Sequence, residues 1–87
     1  MNELFRQCLS EIPQEQRRSF DLSFGIAERI DAVLKEKNIT QHELAQRLHK
    51  RDSEISKWLA GTYNFTLSTI SMIEIALGCH LIDIPIK

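Results

Sequence analysis

Residues 41–60 read QHELAQRLHKRDSEISKWLA. Leu44, Ala45 and Leu48 recur at spacings of one and three, which is a single buried stripe on a short helix. After an interruption at His49–Arg51, Ile55, Trp58 and Leu59 recur at spacings of three and one, and Gly61 stands where glycine commonly closes a helix. The stretch therefore predicts two short helices joined by a tight turn. Asp52, Ser53, Glu54, Ser56 and Lys57 are left for the other faces of the second helix, where Asp52 complements the positive end of the dipole.

Immediately upstream, Thr40-Gln41-His42-Glu43 has the form of a capping box. The Thr hydroxyl accepts from the backbone N–H three residues on, and the Glu carboxylate reaches back to the cap's own N–H. Ala45 is small where the two helices of the corner must approach closely.

Working outward, Pro13 to about Lys37 reads as one long helix, with Pro13 suited to its first position. Phe20, Phe24, Ala27, Ile30 and Leu34 form its stripe, and Ile26 and Val33 widen it. Ser23 and Gly25 lower helix propensity and mark where it would bend. Asn38 is able to close it in the left-handed conformation. Before it, Leu4, Phe5, Cys8, Leu9 and Ile12 make a shorter apolar stripe and predict an N-terminal helix ending near Glu11.

Downstream, a loop at Thr62–Phe65 leads to Thr66, a cap for a helix over 67–77 with Leu67, Ile70, Ile73 and Leu77 inward and Gly78 at its end. The segment His80–Lys87, HLIDIPIK, alternates Ile82, Ile84 and Ile86 and predicts a short strand that Pro85 confines to an edge. A lone strand needs a copy of itself or another chain to pair with. Trp58 and Phe65 sit at positions suited to core packing.

The totals set the limits. Eighty-seven residues make one small domain with a modest core, for which a dimer interface would be a natural source of added stability. With 43% hydrophobic and 26% charged residues the chain has the balance of a globular domain, not of a disordered one. Eleven Lys plus Arg against 12 Asp plus Glu give a net charge of -1, without the basic surplus common among nucleic-acid binders. Cys8 and Cys79 lack paired zinc spacing and read as reduced thiols. No apolar run is long enough to span a bilayer, and the acids in MNELFRQCLSEI argue against a signal peptide, so a cytoplasmic protein without membrane attachment is expected. His42, His49 and His80 are scattered. There is no phosphate-binding glycine loop, nucleophile spacing or acidic metal cluster, so no enzyme activity, cofactor or metal is expected.

Gln41-His42-Glu43-Leu44-Ala45, followed by Leu48, Ile55, Ser56, Trp58, Leu59 and Gly61, resembles the Cro/cI-type (XRE-like) helix-turn-helix family of transcriptional regulators. The segment SEISKWLAGTYNFTLSTI (Ser53 to Ile70) is similar to that family's recognition helix, following loop and next helix. The resemblance covers roughly residues 24–78. It implies an all-α fold: a five-helix lambda-repressor-like DNA-binding domain over 24–78, carrying an N-terminal helical extension (1–23) and a C-terminal strand or tail (79–87). Two positions depart from the family pattern. His49 stands where glycine is usual, and Arg51 where Ser or Thr usually caps the recognition helix.

The resemblance also implies roles. Base-edge contacts fall to Asp52, Ser53, Glu54, Ser56 and Lys57, since Lys donates to guanine, Ser serves either base type and a carboxylate accepts from cytosine. Phosphate contacts fall to Gln41 at the start of the first helix, to Lys50 and Arg51 beside the turn, and to Thr62, Tyr63 and Asn64 after the recognition helix. Between Leu48 and Asn64, three cations face two carboxylates, a net of +1, so useful affinity should need two copies.

Three functions follow as expectations. The first is a sequence-specific repressor that binds double-stranded DNA as a homodimer. The second, a narrower form of it, is an antitoxin that resembles HigA-type antitoxins, binds a cognate toxin protein and represses its own operon. The third is a protein-interaction module that has kept the fold and lost DNA contact.

Overall fold

The computed structural model describes residues 12–85, which fold into four helices: α1 (Gln14–Lys37), α2 (Gln41–Leu48), α3 (Asp52–Leu59) and α4 (Leu67–Leu77). Five helices were expected within residues 24–78, and among the described residues there are four in all, with no strand. The N-terminal helix expected over residues 3–11 lies outside the described residues, as does Ile86.

α1 is a single unbroken helix through Ser23 and Gly25, where the low propensity left room for a break or bend. Ser23 is buried, and tertiary packing further along outweighs the propensity cost of two poor helix formers. Pro13 is its N-cap and not its first residue: its backbone is extended (φ -54°, ψ 146°), and its carbonyl accepts from the N–H groups of Gln16 at 3.0 Å and Arg17 at 3.1 Å. At the far end Asn38 takes the left-handed conformation (φ 56°, ψ 41°), and Ile39 N–H donates to Leu34 O at 2.9 Å. That closure turns the chain straight into α2.

The core is one cluster. Ile30, Val33 and Leu34 of α1 meet Leu44, Ala45 and Leu48 of α2, Ile55 and Trp58 of α3, and Ile70, Ile73 and Leu77 of α4. α2 sits centrally, packed on both α3 and α4, while α1 packs on α3. Arg47 of α2 also donates to the carbonyl of Ala76 in α4 at 3.2 Å. Trp58, Tyr63 and Phe65 form an aromatic group at the base of α3, with Tyr63 edge-on to Phe65 at 5.0 Å.

Three apolar assignments change. Phe20 and Phe24 were expected in the core stripe of α1, yet both are exposed, Phe24 at 55%. The N-terminal half of α1 runs past the edge of the cluster, where the described residues beside it, Gly61, Thr62 and Asn64, leave both rings largely open. Leu67, expected inward on α4, is 75% exposed because it occupies the first helical turn, beyond the rim of the core.

The tail holds the third change. Residues 80–85 form no strand; instead the Glu74 carboxylate accepts from the backbone N–H of Leu81 at 2.7 Å and of Ile82 at 3.4 Å. Those N–H groups are satisfied by a side chain, so a sheet ladder has nothing to use there. Leu81 is buried, while Ile82 and Ile84 are exposed.

Two glycines respond oppositely to a methyl group. A Cβ built on Gly25 meets nothing within 4 Å, so Gly25→Ala should stabilise the fold by about 0.5–1 kcal/mol, raising Tm by several degrees. Gly61 has φ +94°, and a Cβ there lies 2.8 Å from Cδ2 of Phe24. Gly61→Ala should therefore lower stability by more than about 1 kcal/mol, and thermal denaturation of the two variants side by side checks both signs.

Candidate nucleic-acid interface

The α2–α3 corner is built from two helix ends. Thr40 is extended (φ -81°, ψ 161°) and its Oγ1 accepts from the Glu43 N–H at 3.1 Å, the first half of the predicted capping box. The Glu43 carboxylate makes no return bond among the described residues. At the other end, His49 adopts φ 56°, ψ 42°, and its N–H and that of Lys50 donate back to Gln46 O (3.2 Å) and Ala45 O (2.9 Å). A left-handed residue with this bonding pattern ends a helix sharply and redirects the chain. His49 holds this left-handed position as a non-glycine residue.

Arg51 then occupies the N-cap of α3. It is extended (φ -83°, ψ 151°), its side chain makes no capping bond, and it is exposed. α3 buries Ile55 completely and Trp58 almost completely, which fixes the rotation of the helix about its axis. With 3.6 residues per turn, the face opposite those two carries Ser53, Ser56, Lys57 and Ala60, all exposed. Ala60 was not among the expected site residues. Its methyl sits on the outward face, where such groups contact the thymine methyl in a major groove.

The two acids lie on the flanks of that face, each beside a basic partner. Asp52 turns toward α2, with His42 Nδ1 3.0 Å from each of its carboxylate oxygens. Glu54 is half-buried on the α4 side, with Lys50 Nζ 4.0 Å from its Oε2. Arg51 and Lys57 have no carboxylate within salt-bridge distance among the described residues. The thin local charge is therefore distributed unevenly: the carboxylates are paired at the edges, and a cation lies on the outward face.

The remaining expected contacts surround this helix. Gln41 is the first residue of α2 and is exposed, lining a cavity shared with Phe24, Glu28 and Asp31 of α1 and with Gly61. Thr62 and Asn64 are exposed in the loop after α3, beside Gln16 and Ser19 of α1. Tyr63 differs, because its ring is half-buried against Trp58 and Phe65 and is held in the core's aromatic group. His42 was read only as a scattered surface histidine. Its pairing with Asp52 joins residues ten apart in sequence, a contact that no local pattern announces.

No helix among the described residues is long and apolar enough to cross a membrane. The described residues also hold no group of three or more His, Cys, Asp or Glu placed to bind a metal.

Two short helices at a tight corner, the second with its inner face buried and a polar outer face, define a helix-turn-helix. The Helix-turn-helix family model matches residues 30–84, most of the chain, and the protein belongs to that family in its Cro/cI-type (XRE-like) form. DNA-binding regulation of the XRE type is the function class this membership carries. No curated protein and no solved structure matches the chain.

The corner makes one stability forecast. A non-glycine residue in the left-handed region carries a penalty of roughly 1–2 kcal/mol. His49→Gly should relieve part of it and raise the unfolding free energy by about 1 kcal/mol, read in urea as a higher midpoint with an unchanged m-value.

Proposed function

We propose that the protein is a sequence-specific transcriptional repressor that reads the major groove as a homodimer. The observation that carries this reading is the outward face of α3, where Ser53, Ser56, Lys57 and Ala60 stand together, free of unpaired carboxylates, on a helix whose rotation is locked by Ile55 and Trp58. Lys57 would donate to guanine O6 or N7 and the serines to either base type, with Gln41, Arg51, Thr62 and Asn64 positioning the helix through phosphates. Two copies would present their α3 helices about 34–36 Å apart, on half-sites one turn from each other.

The dimer contact is assigned to the outer side of α4 and the tail. Leu67, Ile82 and Ile84 are exposed apolar residues lining one groove with Ile70 and Ser71. Glu74, His80 and Asp83 also line the groove, so its apolar residues are rimmed by polar ones, the arrangement of an association surface. A related reading is an antitoxin, favoured by exposed Phe20 and Phe24, one turn apart on α1, which give a second apolar surface for a toxin protein. Coexpression with the product of the adjacent gene, followed by loss of the complex in Phe20→Glu, separates it from a simple repressor.

Selection of bound duplexes from a random pool tests the main reading. Lys57→Ala and Ser53→Ala should each weaken binding to the selected duplex by about tenfold, with Tm unchanged, since a good base contact is worth about 1–3 kcal/mol. Wild-type affinity should fall steeply with salt, as phosphate contacts require, and no binding even at low salt would favour the interaction module. Leu67→Glu together with Ile84→Glu should convert the dimer to monomer in sedimentation and weaken operator binding in parallel.

A further inference from the structure

The carboxylate of Asp52 opens the recognition helix of a DNA-binding regulator, a place where a negative charge opposes the phosphates. Its surroundings suggest why it is tolerated. His42, in the first turn of α2, brings Nδ1 to 3.0 Å from both Asp52 oxygens, so both oxygens face the ring nitrogen. An ionised carboxylate only accepts, so the proton between them sits on Nδ1 and His42 is the donor. Both side chains are 64% exposed, and the pair lies on the solvent-facing side of the corner, on one flank of the Ser53–Ser56–Lys57 face.

We propose that His42 is a positioning residue that acts through Asp52, turning its carboxylate away from the DNA so that Asp52 neither reads a base nor repels the backbone. The inference rests on the DNA-binding reading of α3 and assigns a role to a side chain outside that helix. Its partner changes role as well: Asp52 becomes the anchor of a strut between the first turns of α2 and α3, and the base-reading set contracts to the residues on the outward face. Removing His42 leaves Asp52 free to swing toward the phosphates. Removing the charge of Asp52 makes His42 dispensable.

The duplex selected by the wild-type chain serves as probe, with affinity measured by fluorescence anisotropy at one fixed salt concentration and base preference by repeating the selection with each variant. His42→Ala should weaken binding by about five- to tenfold, the scale of an exposed like charge placed against a charged partner. Asp52→Asn should bind within about twofold of wild type and select the same sequence. The double variant His42→Ala/Asp52→Asn should regain the affinity that His42→Ala loses. That rescue is not expected of a purely structural residue, and thermal melts of all four proteins separate folding losses from binding losses. If the double variant binds as weakly as His42→Ala, His42 contacts DNA directly and the proposal is overturned. A changed sequence preference in Asp52→Asn overturns it too, because Asp52 would then read a base. Failure of the wild-type chain to select any duplex is a different result, which removes the DNA-binding reading and this inference with it.

Discussion

Everything in this domain depends on the closed corner between α2 and α3. The backbone reverses at His49 through a left-handed residue, and Ala45 leaves room for the helices to approach. Ile55 and Leu44 are fully buried, as are Ile30 and Ile73 brought in by α1 and α4. Truncating a buried isoleucine or leucine to alanine costs about 2–5 kcal/mol, against a total stability of roughly 5–15 kcal/mol for a domain. A few side chains thus hold most of the margin. Because Ile55 and Trp58 are among them, the packing that keeps the domain folded also fixes which residues of α3 face outward. Stability and the orientation of the candidate interface share one set of contacts.

Electrostatics complete what packing begins. A chain with net charge -1 has no basic surplus, so its placement of individual charges has to make the difference. Asp52 and Glu54 lie beside His42 and Lys50, while Lys57 and Arg51 stand without a carboxylate neighbour among the described residues. Exposed ion pairs add little to stability, commonly 1 kcal/mol or less. Under the proposed function the consequence of these contacts is directional, setting how the two carboxylates are presented.

Much of this was legible along the chain because it is written in local rules. Thr40 and Thr66 cap their helices as a Thr before an apolar rhythm predicts, each accepting from the N–H three residues on. Asn38 and Gly78 close theirs in the left-handed conformation, and Leu44, Ile55, Trp58 and Ile73 are buried as their spacing requires. The misjudged residues share another property. Phe20, Phe24 and Leu67 fit a helical stripe, and periodicity reports which face a residue occupies but not whether another element lies over that face. HLIDIPIK alternates like a strand, but Glu74 sits one helical turn before the end of α4 and takes the N–H groups a strand would need.

The sequence by itself determined the two helices of the corner, the caps at Thr40 and Thr66, the closures at Asn38 and Gly78, and the membership of the central residues in one core, since each follows from neighbours within a turn or two. Only the tertiary structure decided which apolar residues stay uncovered, where the tail lies, and that Asp52 meets His42, ten residues away in sequence. The reason is range. Caps and periodicity act over three or four residues, whereas the direction of a charged side chain depends on what folding brings beside it. At the corner first read as QHELAQRLHKRDSEISKWLA, local rules set the backbone, and contacts across the turn set how its charges are presented.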